Sequence, residues 1–115
     1  MELITLAERE SLHENRRRHI DLHIDRLELV PVVHLVTPDG KSSWMLIELA
    51  TKEDEFVAIY ARAGLGADIV TCTSQEIMKV KDRFGSSPIK NEKFKAVFST
   101  RVYLHMQHIE FGIEE

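Results

Sequence analysis

Two apolar runs around a short polar insert hold the residues best placed to do chemistry, in the segment VPVVHLVTPDGKSSWMLIEL, Val30–Leu49. Glu48 lies inside the second run, and a carboxylate in an apolar strand must find a partner, for which His34 in the first run is a candidate. Strand alternation would place Glu48 on the same face as Trp44, the only tryptophan. We therefore take His34, Trp44 and Glu48 as candidate binding residues.

A second acid, Asp39, lies in the insert between the runs. Two acids can perform general acid and base catalysis only if their environments separate their pKa values, and no pattern brings Asp39 and Glu48 together. Asp39 is better explained as part of Pro38-Asp39-Gly40, where proline presets φ and glycine tolerates a positive φ. We keep Asp39 as a candidate binding residue within a turn, with no catalytic role.

The single cysteine, Cys72, directly precedes a predicted helix, and catalytic thiols are often found at helix N-termini. At the end of an apolar strand, however, a free cysteine is more typically a small buried hydrophobe. We favour a non-enzymatic protein with no catalytic residues. The alternative is a small hydrolase that uses Cys72 or a set of histidine and carboxylate side chains.

Histidine pairs raise the question of a metal site. His19 and His23 are four residues apart, and His105 and His108 are three apart, so on a helix each pair would share a face. The helix-borne glutamate of the zinc-protease motif is missing, and no third ligand is evident. We predict neither a metal nor a cofactor.

Charge is unevenly distributed along the chain, whose net charge is −4. Lys79–Arg101 holds seven bases and two acids, and the remainder holds eight bases and 17 acids. Such polarity favours association with a charged protein partner or head-to-tail self-association, including a homodimer. A weak nucleic-acid binder is a second alternative, but nucleic acid is not the expected partner, because the nearby Phe84 and Phe94 occupy positions suited to the core and not to base stacking.

The bulk composition indicates a single domain, 1–115, because 115 residues with 43% hydrophobic content suffice for one core. The apolar runs are far shorter than the roughly 20 residues that cross a bilayer, and MELITLAERE lacks the order of a signal peptide. One cysteine cannot form an internal disulfide. We expect a cytoplasmic protein without a membrane segment.

These residues must be positioned by a sheet, beginning with a hairpin of Val32–Thr37 and Trp44–Leu49. Both faces of the hairpin are largely apolar, so we expect it to be central and covered on both sides. Phe56–Ala63 and Asp68–Cys72 are predicted as the next two strands, joined by the turn Gly64-Leu65-Gly66.

Helices are predicted at both ends of the chain. Thr5-Leu6-Ala7-Glu8 fits a capping box for a helix to about Arg16. Ile20, Leu22 and Ile24 then alternate with polar residues, which favours an extended segment, although the same residues could extend the helix. Thr73-Ser74-Gln75-Glu76 is a second capping box, for a helix through about Phe84. Phe94–Phe98 is a predicted short strand, and Ser99 would cap a helix to about His108.

The fold class that these elements predict is α+β. We expect a small, mainly antiparallel sheet of about four to five strands with a central hairpin, packed with two to three helices.

The segments PVVHLVTPDGKSSWMLIEL, ARAGLG and IVTCTSQEI resemble the signature of domain of unknown function family 2958, and the likeness covers most of the chain. That family has a Pro-Val-Val strand, a Thr-Pro-Asp loop, and then Trp, two apolar residues and a Glu-Leu pair. This sequence departs from the pattern where the family has Pro-Glu after its Gly-Leu-Gly turn. Ala67-Asp68 stands there, and Asp68 is therefore a further candidate binding residue.

The resemblance implies a small protein carried by bacterial plasmids, phages and integrated elements, and it brings no activity. Small acidic proteins from that setting often bind a host protein, including host defence enzymes. We therefore expect a mobile-element protein that binds a host or element-encoded protein.

Overall fold

The computed structural model describes residues 3–51 and 54–112. Within them, one antiparallel sheet has the strand order β4-β3-β2-β1-β5, and helices cover both of its faces. The elements in chain order are α1 (Leu6–Asp21), a 3-10 helix (Arg26–Glu28), β1 (Val33–Val36), β2 (Ser42–Leu49), β3 (Glu55–Arg62), β4 (Gly66–Thr73), α2 (Ser74–Lys79), β5 (Ile89–Lys90) and α3 (Thr100–Gly112). The α+β class and the central hairpin are confirmed.

Two hydrophobic clusters separate the faces of the sheet. On the face that we call the α1 face, Leu12 and Ile77 from α1 and α2 pack with strand residues such as Trp44 and Phe56. On the opposite α3 face, Tyr103 of α3 packs with strand residues that include Ile47 and Ile59, together with Leu29 after the 3-10 helix. Burial on both faces explains why the middle of β2, Trp44–Ile47, is apolar at every position.

A β-bulge interrupts β2 just before its end. Leu46 pairs with Ala58 and Glu48 pairs with Val57, so the register shifts at Ile47. The extra residue reverses the side-chain alternation, which places Glu48 in the same cross-strand row as Val57 on the α3 face. The prediction that Glu48 and Trp44 share a face is therefore wrong.

Both capping boxes are confirmed, but the predicted ends of their helices are wrong. Helix α1 continues to Asp21, where an extended segment was expected. Ile20 is half exposed on this helix, so it does not follow the alternation of a strand with one buried face. The side-chain amide of Asn15 anchors the helix by donating to the carbonyls of Val30 (3.0 Å) and Ile47 (2.8 Å). The chain then turns at His23, with φ +57°.

The region after α2 differs most from expectation. Helix α2 ends at Lys79, with Ile77 as its buried residue, and Phe84 is 69% exposed instead of packing in the core. The fifth strand is Ile89–Lys90, which pairs with β1, and not Phe94–Phe98. Short apolar runs cannot distinguish a strand from a packed loop, and the pairing available on β1 decides between them.

Candidate functional site

Two of the five predicted binding residues lie on the α1 face. Trp44, Tyr60 and Asp68 form a cross-strand row over β2, β3 and β4. Trp44 is buried, and its ring stacks on that of Tyr60 with centroids 5.0 Å apart. Asp68 is exposed at the edge strand. Trp44 thus contributes to core packing, Tyr60 is partly buried, and Asp68 is the exposed residue of the row.

His34 lies on the α3 face and has different partners from those expected. Its Nε2 is 2.8 Å from the Ser43 hydroxyl, its Nδ1 is 3.2 Å from the Asn91 amide nitrogen, and its ring contacts Phe94. Burial lowers the pKa of His34 below its ordinary value. The predicted pairing of His34 with Glu48 is wrong, because Glu48 pairs with Arg26.

Asp39 closes the β1–β2 turn, as its sequence context predicts. Its Oδ1 accepts from the Lys41 amide at 3.0 Å and from the Thr37 hydroxyl at 2.8 Å. The hydrogen bond from Lys41 holds the pKa of Asp39 below its ordinary value. Asp39, Trp44, His34, Asp68 and Glu48 therefore occupy a turn, two faces and an edge, and the fold does not bring them together.

Glu48, like Asp82 and Gln107, has a buried side-chain oxygen without a hydrogen-bond partner among the described residues. Its side chain is 2% exposed, and Arg26 places both Nε and one terminal nitrogen 3.0 Å from the same oxygen, Oε1. The other oxygen, Oε2, is buried and has no hydrogen-bond partner among the described residues. A buried acceptor without a donor costs on the order of 1–3 kcal/mol, and more when it is charged. Oε2 is therefore prepared to accept a further donor.

A cavity of about 260 Å³ adjoins Glu48 at this end of the sheet. Glu48, Val57 and Thr71 come from one cross-strand row over β2, β3 and β4, and α1 and the 3-10 helix supply basic side chains. Its lining residues are Arg16, Ile20, Arg26, Glu48, Ala50, Thr51, Glu55, Val57 and Thr71.

Two larger depressions along α1 adjoin this cavity through shared lining residues. The first, of about 480 Å³, shares Arg16, Ala50 and Thr51 with the Glu48 cavity and extends to Leu6. The second, of about 640 Å³, shares Leu6 with the first and ends against Ser74, Gln75 and Met78. We name the three together the α1 furrow. Leu6, at the junction of the two larger depressions, is 71% exposed.

Cys72 has the environment of an unreactive thiol. Burial, with Glu76 and Glu55 nearby, raises its pKa to about 11, so the thiol stays protonated at neutral pH. A nucleophilic cysteine needs a lowered pKa. The interpretation of Cys72 as a small buried residue agrees with its position in the α1-face cluster.

One histidine of each pair forms a hydrogen bond with the backbone. His19 Nδ1 is 2.9 Å from the Ile24 carbonyl, and His108 Nδ1 accepts from the Ala67 amide at 3.1 Å. In residues 3–51 and 54–112, no three His, Cys, Asp or Glu side chains are grouped to hold a metal ion. Both observed histidine contacts support the backbone.

Arg26 and Arg16 are the site residues that sequence reasoning missed. An acid in an apolar strand does indicate a buried partner. That partner was expected on the neighbouring strand, but it comes from the 3-10 helix. Arg16 lies at the predicted end of α1, but its contact with the Leu49 carbonyl, at 3.4 Å, was not expected.

The basic segment is partly neutralised by contacts with acids elsewhere in the chain. Lys90 binds Glu8 at 2.7 Å, and Arg101 binds Glu28 at 3.1 Å. The exposed ring of Phe84 has the Arg83 guanidinium 4.9 Å from its centre. These contacts reduce the charge asymmetry that the sequence alone indicates, although the exposed Phe84 was not foreseen.

An α+β domain with a five-stranded antiparallel sheet and a furrow along its first helix is thus the class that fold and site define. The chain belongs to the family described as "Protein of unknown function (DUF2958)", whose model matches residues 3–113. No curated protein and no solved structure gave a match. None of the helices in the described ranges is long and apolar enough to cross a membrane.

Proposed function

We propose that this chain is a non-enzymatic protein-binding module whose α1 furrow receives a segment of another protein. The observation that carries the proposal is that the three depressions adjoin one another along α1, with lining residues in common at Leu6 and at Arg16, Ala50 and Thr51. A series of adjoining depressions along a helix accommodates a length of polypeptide better than it encloses one small molecule, since small-molecule sites are single clefts that bury most of the ligand.

The lining of the furrow supports a protein partner. Leu6 and Leu49 offer apolar contact, and Glu10, His13 and Arg16 supply charged or polar groups beside them. Such a mixture of an apolar centre and polar surroundings is typical of surfaces that bind other proteins. The surface is built on a capped helix and on strand ends, so its geometry is fixed before binding.

The partner that we propose is a host or element-encoded protein, with modulation of a bacterial defence enzyme as one such role. This part of the proposal depends on the mobile-element setting that the family resemblance implies. The chemistry of Cys72 and of the histidines favours binding over the hydrolase alternative, because the thiol is held protonated and both histidines with backbone contacts are structural.

Photo-crosslinking followed by a binding titration tests the proposal. A photoreactive phenylalanine analogue at His13, inside the furrow, should capture a partner from bacterial lysate that the same group at Val97 does not capture. With the captured protein purified, Leu6→Asp should weaken binding by at least about tenfold, because it places a charge among apolar contacts. Val97→Asp is the matched control, since Val97 is 73% exposed and Leu6 is 71% exposed. Equal binding by the two variants would refute the furrow as the docking surface.

A further inference from the structure

We propose that the Glu48 cavity is a receptor for one arginine side chain, supplied by the segment that binds in the α1 furrow. This inference rests on the proposed function and adds the chemistry that the partner must present.

The geometry of the Glu48–Arg26 pair leaves one side of the carboxylate available. An arginine fork usually meets a carboxylate with one donor on each oxygen. Here both nitrogens lie 3.0 Å from Oε1, and Oε2 faces no donor among the described residues. Oε2 is therefore an acceptor that Arg26 does not use.

The volume of the cavity restricts what it can hold. About 260 Å³ is slightly below the roughly 300–1,000 Å³ of sites for drug-sized ligands, so one side chain with its methylene stem is a better match than a cofactor. The cavity shares Arg16, Ala50 and Thr51 with the next depression of the furrow, which allows a side chain to enter while its backbone remains outside.

The lining carries two bases, Arg16 and Arg26, and two acids, so the unused acceptors of the acids, and not a net charge, favour a group with several donors. Glu55 adds a second carboxylate, which forms no ion pair within the described part of the chain, and Thr71 adds a hydroxyl. A guanidinium has five donors in a planar fork and can bond to both acids at once, whereas an ammonium is a point charge. Arginine is thus preferred over lysine.

Access requires one movement, that of Arg26. The Glu48 side chain is 2% exposed, but that of Arg26 is 35% exposed and can change its side-chain conformation towards solvent. Rearrangement of side chains at an interface is common when backbones move little.

The test uses N-acetyl-L-arginine amide as the probe, with the citrulline and lysine analogues for comparison. Titration followed by amide NMR shifts should show saturable changes at Glu48, Val57 and Thr71 with the arginine probe. The citrulline probe, which has nearly the same shape without the charge, should bind at least about tenfold more weakly, and the lysine probe should be intermediate. Equal shifts with arginine and citrulline, or none with arginine, would overturn the inference.

Variants locate the binding on the carboxylate. Glu48→Gln should abolish the saturable shifts, and Glu14→Gln, an exposed acid on α1 outside the furrow, should leave them unchanged. If Glu48→Gln does not fold, Glu48→Asp keeps the charge but withdraws the oxygen by one methylene, and should weaken the arginine probe about tenfold. Retained binding in the folded variant would overturn the assignment.

The inference and the proposed function can fail separately. If the purified partner still binds Glu48→Gln with unchanged affinity while Leu6→Asp abolishes binding, the furrow is a docking surface without an arginine receptor. If the arginine probe binds through Glu48 and crosslinking at His13 finds no partner, the receptor stands and the protein-docking proposal fails.

Discussion

The two ends of strand β2 solve the same problem, a polar group beside a buried strand, in opposite ways. At the turn end, the hydroxyl of Thr37 donates to Asp39 at 2.8 Å and accepts from the Ser42 amide at 3.0 Å. At the furrow end, the β-bulge places the Glu48 carboxylate beside Val57, and one of its oxygens receives no donor from the described residues. Hydrogen bonds between neighbouring residues stabilise the turn end, whereas the furrow end retains a buried carboxylate oxygen, Oε2 of Glu48, that can accept a hydrogen bond.

The two ends of β2 differ in how far apart in sequence their interacting residues are. The turn end is made of residues close in sequence, so its hydrogen bonds form with little loss of entropy. The furrow end joins α1, the 3-10 helix and three strands, and its central acid depends on Arg26, which lies 22 residues away. Loss of a partner should therefore cost more at the furrow end.

The largest expected effect comes from removing the partner of Glu48. Arg26→Ala leaves a buried carboxylate without its ion pair, and should lower the free energy of unfolding by about 2–3 kcal/mol, somewhat less than for a fully buried pair because Arg26 is partly exposed. Urea unfolding measures the change. Arg101→Ala breaks exposed ion pairs with Asp25 and Glu28, and should cost less than about 1 kcal/mol. Equal losses would show that the burial of Glu48 adds nothing to the cost of removing its partner.

A second effect tests the turn end where β3 meets β4. Gly66 has φ +79°, and an added Cβ would lie 2.5 Å from Nδ1 of His108, which holds the Ala67 amide. Gly66→Ala should therefore destabilise the fold by about 1–3 kcal/mol through backbone strain and displacement of α3. In Gly40→Ala the φ is also positive, +75°, but no atom lies within 4 Å of the added Cβ. A thermal unfolding temperature that falls equally in both variants would exclude the His108 contact as a constraint.

A smaller effect should follow from opening the β1–β2 turn. Thr37→Val keeps the shape of a buried side chain and removes the hydroxyl that bonds to Asp39 and Ser42, at a cost of about 1–2 kcal/mol. Thr51→Val, on an exposed residue at the furrow end, should change stability by less than about 0.5 kcal/mol. The denaturant midpoints of the two variants provide the comparison. A neutral Thr37→Val variant would mean that the turn does not depend on its side-chain hydrogen bonds.

Local chemistry explains which parts of this fold were predictable. Thr5 and Thr73 carry both halves of a capping box within four residues, and Pro38-Asp39-Gly40 carries a complete turn, so both features follow from short sequences. The central hairpin follows from two apolar runs on either side of that turn. The capping boxes, the turn and the hairpin form from residues that are close together in the sequence.

Features that depend on distant contacts were missed. Nothing in MLIEL marks a bulge at Ile47, because the register is set by the pairing of β2 with β3. The end of α1 at Asp21 depends on Asn15 reaching the carbonyls of Val30 and Ile47, and that anchor overrides an alternation typical of strands. The candidate site was therefore predicted in one residue, Glu48, and its partner and cavity required the tertiary structure.

The smallest expected effect concerns His34, on the strand next to β2. Burial lowers its pKa in the folded chain below the ordinary 6.5, so the unfolded chain binds a proton more readily than the folded one. The contribution of His34 to stability is complete above about pH 6.5 and is lost as the pH falls towards and through its lowered folded pKa. The informative quantity is the difference between the wild-type chain and His34→Gln, which cannot take up the proton. Urea midpoints at pH 7.5, 6.5 and 5.5 should show the variant losing less stability on acidification than the wild type, because the wild type must protonate an imidazole that packs against Phe94 and contacts Ser43 and Asn91. Parallel curves for the two proteins would show that the site does not exclude the charged imidazole.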